Sequence, residues 1–249
     1  MPHAFSRTER VIGPEALEKL RRAHVAVFGI GGVGGYVVEA LARSGVGNLD
    51  LVDDDKVCLT NFNRQIIATH ETMGMYKVDA AAQRVKSINP ACFVRTHRCF
   101  YLPEQREEFD FSRFDYVVDA IDTVTAKLSL IREAQAAGTP ILCAMGTGNK
   151  LDPSALRIGD LYETDTDPLA RVMRKECRRM GVERLKVLYS VEKPIRPLED
   201  EDSAQELAAS GRRQIPGSTA FVPAAGGLLI AAEVVKDLTG FTGEGRRVE

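Results

Sequence analysis

Five of the seven residues from Gly29 to Gly35 are glycine, and they separate His24-Val25-Ala26-Val27-Phe28 from a stretch with Val37, Val38 and Leu41 at helical spacing. The first run is short, β-branched and aromatic, as a buried strand is. The second reads as a helix from Tyr36 to Arg43, stopped by Gly45-Val46-Gly47. Leu49 to Val52 then forms a second strand that ends in Asp53-Asp54-Asp55. A strand, a glycine turn, a helix and a second strand make one right-handed parallel unit, which commits the chain to an α/β layer.

The alternation continues downstream. An amphipathic helix runs from Tyr76 to Ile88 and ends at Asn89-Pro90, and Phe93 to Thr96 is the next strand. Tyr116 to Val118 is a buried strand finishing at Asp119, Thr123 to Ala137 a helix closed by Gly138, and Pro140 to Ala144 a strand ending at Met145-Gly146-Thr147-Gly148. Beyond residue 148 the pattern loosens. Ala155 to Ile158 and Val187 to Ser190 read as late strands around a helix from Pro168 to Met180. Pro194 to Ser218, rich in charge, Pro, Ser and Gly, reads as a mobile loop. Pro223 to Leu238 is a final helix in which Gly226-Gly227 permit close packing. The expected fold is α/β: a Rossmann-like doubly wound, mostly parallel sheet with helices on both faces and a less regular C-terminal extension. A single domain of 249 residues would comprise a nucleotide-binding core over 1–150 and a substrate or dimer part over 151–249.

Composition narrows the class. With 33 basic and 35 acidic residues the net charge is −2, against a coat-like nucleic-acid binder and against an acidic disordered tail. Cys58, Cys92, Cys99, Cys143 and Cys177 are odd in number and include no C-x-x-C pair, so neither a disulfide framework nor a four-cysteine zinc site is expected. The N-terminus has no apolar core, and the longest apolar stretch, Pro223 to Val235, is interrupted by Glu233 and too short to span a bilayer. A reducing, cytoplasmic setting follows as the expectation.

A glycine turn between the first strand and its helix lets backbone N–H groups and the positive helix end approach phosphate oxygens. Asp53 and Asp55 stand where a carboxylate accepts hydrogen bonds from ribose hydroxyls. This much fits a dinucleotide or ATP, and a nicotinamide dehydrogenase would be the default; a glycine turn kept only for tight packing is the bland alternative. The next segment tips the balance. Asp53 to Gln65 offers Asn61, Asn63 and Arg64 with its carboxylates, and Lys77 opens the following helix. Cations for β and γ oxygens and a carboxylate for Mg²⁺, here Asp122 just past Asp119, are what a triphosphate needs and a dinucleotide does not.

The ordered set Gly29-x-Gly31-Gly32-x-Gly34, Asp53-x-Asp55-x-Val57, Asn61-x-x-Arg64-Gln65, Lys77 and Asp119-x-x-Asp122 resembles the adenylating domain of the ubiquitin-activating-enzyme-like superfamily. That superfamily includes the activators of sulfur-carrier proteins. Phe5-x-x-Thr8-x-Arg10, Thr60-Asn61-x-Asn63-Arg64-Gln65, Leu151-Asp152-Pro153 and Asp167-Pro168-Leu169-Ala170 look like one branch, the tRNA threonylcarbamoyladenosine dehydratases. The resemblance implies ATP-dependent activation of the threonyl carboxylate of a modified adenosine in tRNA, by adenylation, followed by ring closure with net loss of water. It implies that Gly29, Gly31, Gly32 and Gly34 hold phosphates and that Asp53 binds ribose. Arg64 and Lys77 would neutralise the leaving pyrophosphate, Asp122 would hold Mg²⁺ with Asn61 and Asp55 in support, and Gln65 would line the nucleotide site. An N-terminal arginine reaches the nucleotide from the other subunit in the superfamily; Arg10 is the match, which implies a homodimer. Any sulfur-transfer partner stays unidentified.

Departures bear on the branch. The sulfur-carrier activators usually hold zinc with two C-x-x-C pairs, and none stands here, so no zinc is expected. Activation of a ubiquitin-like sulfur carrier remains the alternative function, and a nucleotide-binding regulatory protein without chemistry a third. Several relatives form a thioester on a cysteine; Cys177, with Arg174, Lys175, Arg178 and Arg179 near it in sequence to lower its pKa, is the one candidate, and an incidental cysteine on a charged helix is the competing reading, the more common case. Arg171, Arg174, Lys175 and Arg178 share one helix face within Pro168–Lys186, which holds seven basic and two acidic residues. That face suits phosphate contacts to tRNA; a solvated helix face is the competing reading.

Overall fold

The computed structural model describes residues 3–198 and 216–242. Its seven strands form one sheet in the order β3-β2-β1-β4-β5-β7-β6, from β1 (His24–Phe28), β2 (Asn48–Val52), β3 (Phe93–His97), β4 (Tyr116–Asp119), β5 (Ile141–Ala144), β6 (Leu156–Asp160) and β7 (Lys186–Ser190). Every pairing is parallel except β6 on β7. The two late strands therefore extend the sheet of the first half, β7 joining β5 in parallel and β6 closing the edge in reverse. The order turns outward in both directions from β1 and β4, so the carboxyl ends of these two strands form the crevice in which ligands of open α/β sheets bind.

Among the described residues, seven α-helices accompany the sheet: α1 (Ser6–Ile12), α2 (Pro14–Arg22), α3 (Gly34–Ser44), α4 (Lys77–Ile88), α5 (Val124–Ala137), α6 (Pro168–Arg179) and α7 (Phe221–Thr239). On one face Val37, Val38 and Leu41 of α3, Val78, Ala81 and Val85 of α4, and Ile230 and Val234 of α7 pack on Val25, Val27, Leu49 and Leu51. On the other, Ala26, Phe28 and Val52 meet Phe109, Phe111 and Phe114 and the Ala126, Leu130 and Ala134 side of α5. A third cluster joins α5 to α6 through Ile131, Cys143, Met173, Cys177 and Val187. Period-2 strands and period-3.6 helices thus bury the faces their sequences mark. Gly45 and Gly138 end α3 and α5 in the left-handed conformation, at φ 89° and 71°.

Two features differ from the sequence reading. α1 had no signal, because none of its residues is buried and no apolar stripe exists to reveal it. The last helix starts two residues earlier, at Phe221, since Pro223 in its first turn gives up an N–H that has no intrahelical partner. Of the expected mobile loop Pro194–Ser218, residues 199–215 lie outside the described residues. Across β1, β2 and β3, the buried Asp50 carboxylate takes His24 Nε2 at 2.7 Å and His97 Nε2 at 2.8 Å. Burial pushes its pKa up, and the two imidazole hydrogen bonds more than reverse this, holding it below the usual carboxylate range.

Candidate active site

Gly29, at φ +89°, bends the chain off β1, and a Cβ there would lie 2.6 Å from the Ala120 carbonyl oxygen. A Cβ on Gly34 would fall inside the Gly29 carbonyl oxygen, so the turn closes on itself only because both positions lack side chains. Gly31 has open space, with Gln65 Nε2 the nearest atom at 3.9 Å, and Gly32 faces Pro223 and the Arg64 stem. α3 has no side-chain cap; Gly35 N–H donates to the Gly31 carbonyl and Tyr36 N–H to the Val33 carbonyl, each at 3.0 Å, and the positive helix end faces the turn. On the α7 side, a Cβ on Gly227 would meet the Val33 carbonyl and Tyr36, which explains how this helix seats on the turn.

The segment after β2 wraps this turn. Asp53 accepts from Ile30 N–H at 2.7 Å and from Asp55 N–H at 2.9 Å, so in this structure the residue expected at the ribose braces the glycine turn. Burial raises its pKa against the opposing pull of Lys77. Lys77, 5% exposed, opens α4 and places Nζ 2.6 Å from Asp55 Oδ2 and 3.9 Å from Asp53 Oδ1. Asn61 is buried, and its side-chain oxygen accepts from Cys58 N–H at 3.2 Å, shaping the turn that carries Arg64. Arg64 donates to the Thr60 carbonyl at 2.8 Å and to Asn63 Oδ1 at 3.0 Å. Gln65 Oε1 is a buried oxygen with no hydrogen-bond partner among the described residues. An orphaned polar atom beside Gly31 is the mark of a surface completed by a ligand or water.

The carboxyl ends of β4 and β5 supply the rest. Asp119 Oδ1 accepts from Ile121 N–H at 3.1 Å and turns the chain toward Asp122, which is exposed. Lys127 and Asp119 form a fully buried pair at 2.9 Å. Beyond β5, Lys150 Nζ sits 2.7 Å from the Gly146 carbonyl and 3.3 Å from Asp167 Oδ2, with both side chains buried. Asp167 also caps α6 through Ala170 N–H at 2.9 Å. Asn149, left-handed at φ 59°, receives Ile195 N–H at 2.7 Å and Gly217 N–H at 2.6 Å and donates to the Gly217 carbonyl. Asn63 then reaches the Ser218 carbonyl at 2.9 Å. These residues tie the loop after β5, the 58–65 turn and the approach to α7 into one rim. Sequence reasoning missed Lys127, Lys150 and Asn149; an uncompensated Lys in an apolar helix stripe was the available signal for Lys127.

Other expectations fall elsewhere. Arg10 is exposed on α1, and this N-terminal segment seats Phe5 against Gly45 at the far end of α3 from the glycine turn. Its own chain's site does not receive it. Cys177 is fully buried, and burial pushes its thiol up to about 11, the opposite of the lowered value its basic neighbours in sequence imply. Those neighbours project away from the Ala170–Met173–Cys177 stripe that packs inward. Arg171, Lys175 and Arg178 are exposed as a face, Arg178 lying over the Tyr162 ring at 5.1 Å. Arg174 leaves it to donate to the Thr164 carbonyl at 2.6 Å and to the Thr164 hydroxyl.

For a divalent cation the donor chemistry fits. Among the described residues, Asp53, Asp54 and Asp55 are the one group of three acidic, His or Cys side chains whose ligand atoms come within 4.8 Å of one another; Asp122 is not in it. Hard oxygen donors suit Mg²⁺, which takes one or two carboxylates and fills its shell with water and phosphate oxygens, so Asp122 need not join a cluster.

The chain is similar to known proteins over nearly its whole length. The chain is 43% identical over 242 residues to the Bacillus subtilis tRNA threonylcarbamoyladenosine dehydratase, covering 96% of this chain and 95% of that one. It is 34% identical over 229 residues to the Escherichia coli enzyme of the same name, covering 87% and 84%. The crystal structure of E. coli tRNA N6-threonylcarbamoyladenosine dehydratase in complex with ATP superposes with a TM-score of 0.85 at 32% identity, covering 95% of this chain and 94% of that one. No helix among the described residues is long and apolar enough to cross a membrane. Residues 5–248 match the ThiF family, and the chain belongs to it.

Proposed function

We propose that this protein is an ATP-dependent dehydratase that closes a ring on N6-threonylcarbamoyladenosine in tRNA. The observation that carries the reading is the end-to-end likeness to the B. subtilis dehydratase, over 96% of this chain and 95% of that one. The threonyl carboxylate attacks the α-phosphorus of ATP and pyrophosphate leaves, giving an acyl-adenylate. Intramolecular attack on the activated carbonyl then closes the ring and releases AMP. The oxygen lost from the substrate departs on AMP, so the sum removes one water.

The site supports each role. The Gly29–Gly34 turn and the uncapped α3 N-terminus receive phosphate oxygens, Asp53 binds ribose while bracing the turn, and Gln65 gains the partner its buried oxygen lacks. Arg64 and Lys77 stabilise the leaving pyrophosphate. Removal of one such preorganised donor costs about 10²–10³ in rate. Asp122, with Asp55 and Asn61 in support, would hold Mg²⁺, whose charge when bound offsets that of the phosphates. Arg10 acts across a homodimer interface, since its own site does not receive it. Residues 151–249 contribute substrate and dimer contacts, with Arg171, Lys175 and Arg178 meeting tRNA phosphates and Arg174 anchoring that helix. The cytoplasm supplies both tRNA and ATP.

Nucleoside mass analysis of tRNA incubated with the protein, ATP and Mg²⁺ tests the reading. ATP-dependent loss of one water from threonylcarbamoyladenosine is expected. An unchanged nucleoside, together with ATP–pyrophosphate exchange on a carrier protein with a Gly-Gly tail, would overturn it in favour of sulfur-carrier activation.

A further inference from the structure

Lys127 and Asp119 take no part in the roles above, yet they form an ion pair with no solvent exposure on either side chain. Removing two charges from water is expensive, and well-packed apolar residues serve stability as well or better. What apolar residues cannot supply is direction. The Lys127 ammonium donates to Asp119 Oδ2 at 2.9 Å and to the Ala144 carbonyl at 2.8 Å, joining the last residues of β4 and β5. Asp119 Oδ1 accepts from Ile121 N–H at 3.1 Å, and the fully buried Cys143 of β5 stands opposite Asp119 in the strand register. From the other side, Ala120 N–H donates to the Phe28 carbonyl at 2.8 Å, and Gly29 presses against the Ala120 carbonyl. The turn leading to Asp122 is therefore gripped between the glycine turn and a carboxylate that Lys127 holds in one orientation.

We infer that Lys127 is a positioning residue: through Asp119 it fixes the turn that presents Asp122 to the metal–nucleotide complex, and through Ala144 it keys that turn to the loop starting at Met145. The inference rests on the reading of Asp122 as the Mg²⁺ residue, and the test separates the two.

The full-length double variant Asp119→Asn/Lys127→Met removes both charges together and keeps a side-chain oxygen for Ile121 N–H. Mg²⁺ titration of the ATP complex by calorimetry should show a half-saturating concentration raised about 10–100-fold, the usual effect of losing an orienting partner behind a metal site. ATP affinity without Mg²⁺ should stay at the wild-type value. In the nucleotide-free protein, amide exchange at Ile121 should speed up while β1 and β2 amides keep their protection. Asp122→Asn is measured alongside. If it shifts the Mg²⁺ response and the folded double variant does not, Lys127 and Asp119 are only a structural staple and the inference is wrong. If Asp122→Asn leaves the response unchanged, the reading of Asp122 fails and the inference with it. Should the double variant not fold, Asp119→Glu, which keeps the pair but displaces it, must raise the half-saturating Mg²⁺; a wild-type response there overturns the proposal equally.

Discussion

Lysine–aspartate pairs stand on both sides of the crevice, and water reaches them very differently. On the β2–α4 side, Lys77 is buried but its partner Asp55 has a side chain 65% exposed. On the β4–β5 side, Lys127 and Asp119 are sealed at 0%, and Lys150 and Asp167 nearly so at 1% and 0%. An ammonium with one wet partner can exchange it for a phosphate oxygen at little cost, because the carboxylate left behind is solvated. A sealed pair has no such freedom, since either charge alone would be stranded in a medium where it is not compensated. The same two side chains therefore serve ligand exchange on one side of the crevice and fixation of backbone on the other.

The glycine turn shared by both sides offers the largest test. Gly34→Ala places a Cβ inside the Gly29 carbonyl oxygen, and no side-chain rotation relieves it. Expected is a loss of stability beyond about 4 kcal/mol, read as failure to give a cooperative urea transition at the wild-type midpoint. Gly31→Ala meets nothing nearer than 3.9 Å and should keep the wild-type midpoint. Equal midpoints for the two variants would show that the turn is not the rigid element described.

Next come the pairs themselves. Lys127→Met should cost about 3–5 kcal/mol, because it leaves Asp119 buried and unpaired. Lys77→Met should cost within about 1 kcal/mol, as befits a pair with one exposed partner, but should lower the rate of dehydration by about 10²–10³. Urea denaturation and single-turnover nucleoside analysis on both variants give the two axes. A Lys77 variant that unfolds as readily as the Lys127 variant would erase the contrast.

Local features were legible in the sequence, and long-range ones were not. The strand, glycine turn, helix and acidic strand end lie within thirty residues of one another, each carrying its own signal in period or turn chemistry. So does Lys77 at a helix start. Lys127 stands in the apolar stripe of its helix with Leu130 and Ile131, but only the register of β4 beside β5 brings Asp119 and Ala144 to it. Lys150 and Asp167 meet across seventeen residues, and Asn149 joins Ile195 to Gly217, contacts that depend on a completed sheet. The burial of Cys177 is hidden in the sequence for a related reason. A helix shows its basic residues in the sequence, but which flank faces the core is decided by β5 and β7 beneath it.

The Asp50 brace gives a smaller effect and one that pH can dissect. Asp50→Asn should cost about 1–3 kcal/mol at neutral pH, the range for a buried hydrogen-bonding group losing its charged partner. The native carboxyl titrates below its unfolded value, so its contribution is complete above the unfolded pKa and is lost as pH falls toward the folded one. The gap between wild type and Asp50→Asn should therefore narrow as pH is lowered from about 4 to about 2. Urea midpoints across that interval check it; a constant gap would mean that the two imidazoles do not favour the ionised form.

The smallest expected effect concerns Cys177, and it separates sequence neighbours from spatial ones. Four basic residues surround this cysteine along the chain, but the thiol points into the cluster of Ile131, Met173 and Val187, where burial raises its pKa to about 11. Nucleophilicity toward an alkylating agent requires both thiolate and access, and here both are withheld. Iodoacetamide at about pH 8, half a unit below the ordinary thiol pKa, should leave Cys177 unmodified for as long as the fold persists, while the exposed Cys58 reacts. Peptide mass analysis with and without urea reads this directly. Labelling of Cys177 at the Cys58 rate in the native protein would mean that α6 opens readily from the sheet. The sealed character assigned to the β4–β5 side would then stop short of its outer helix.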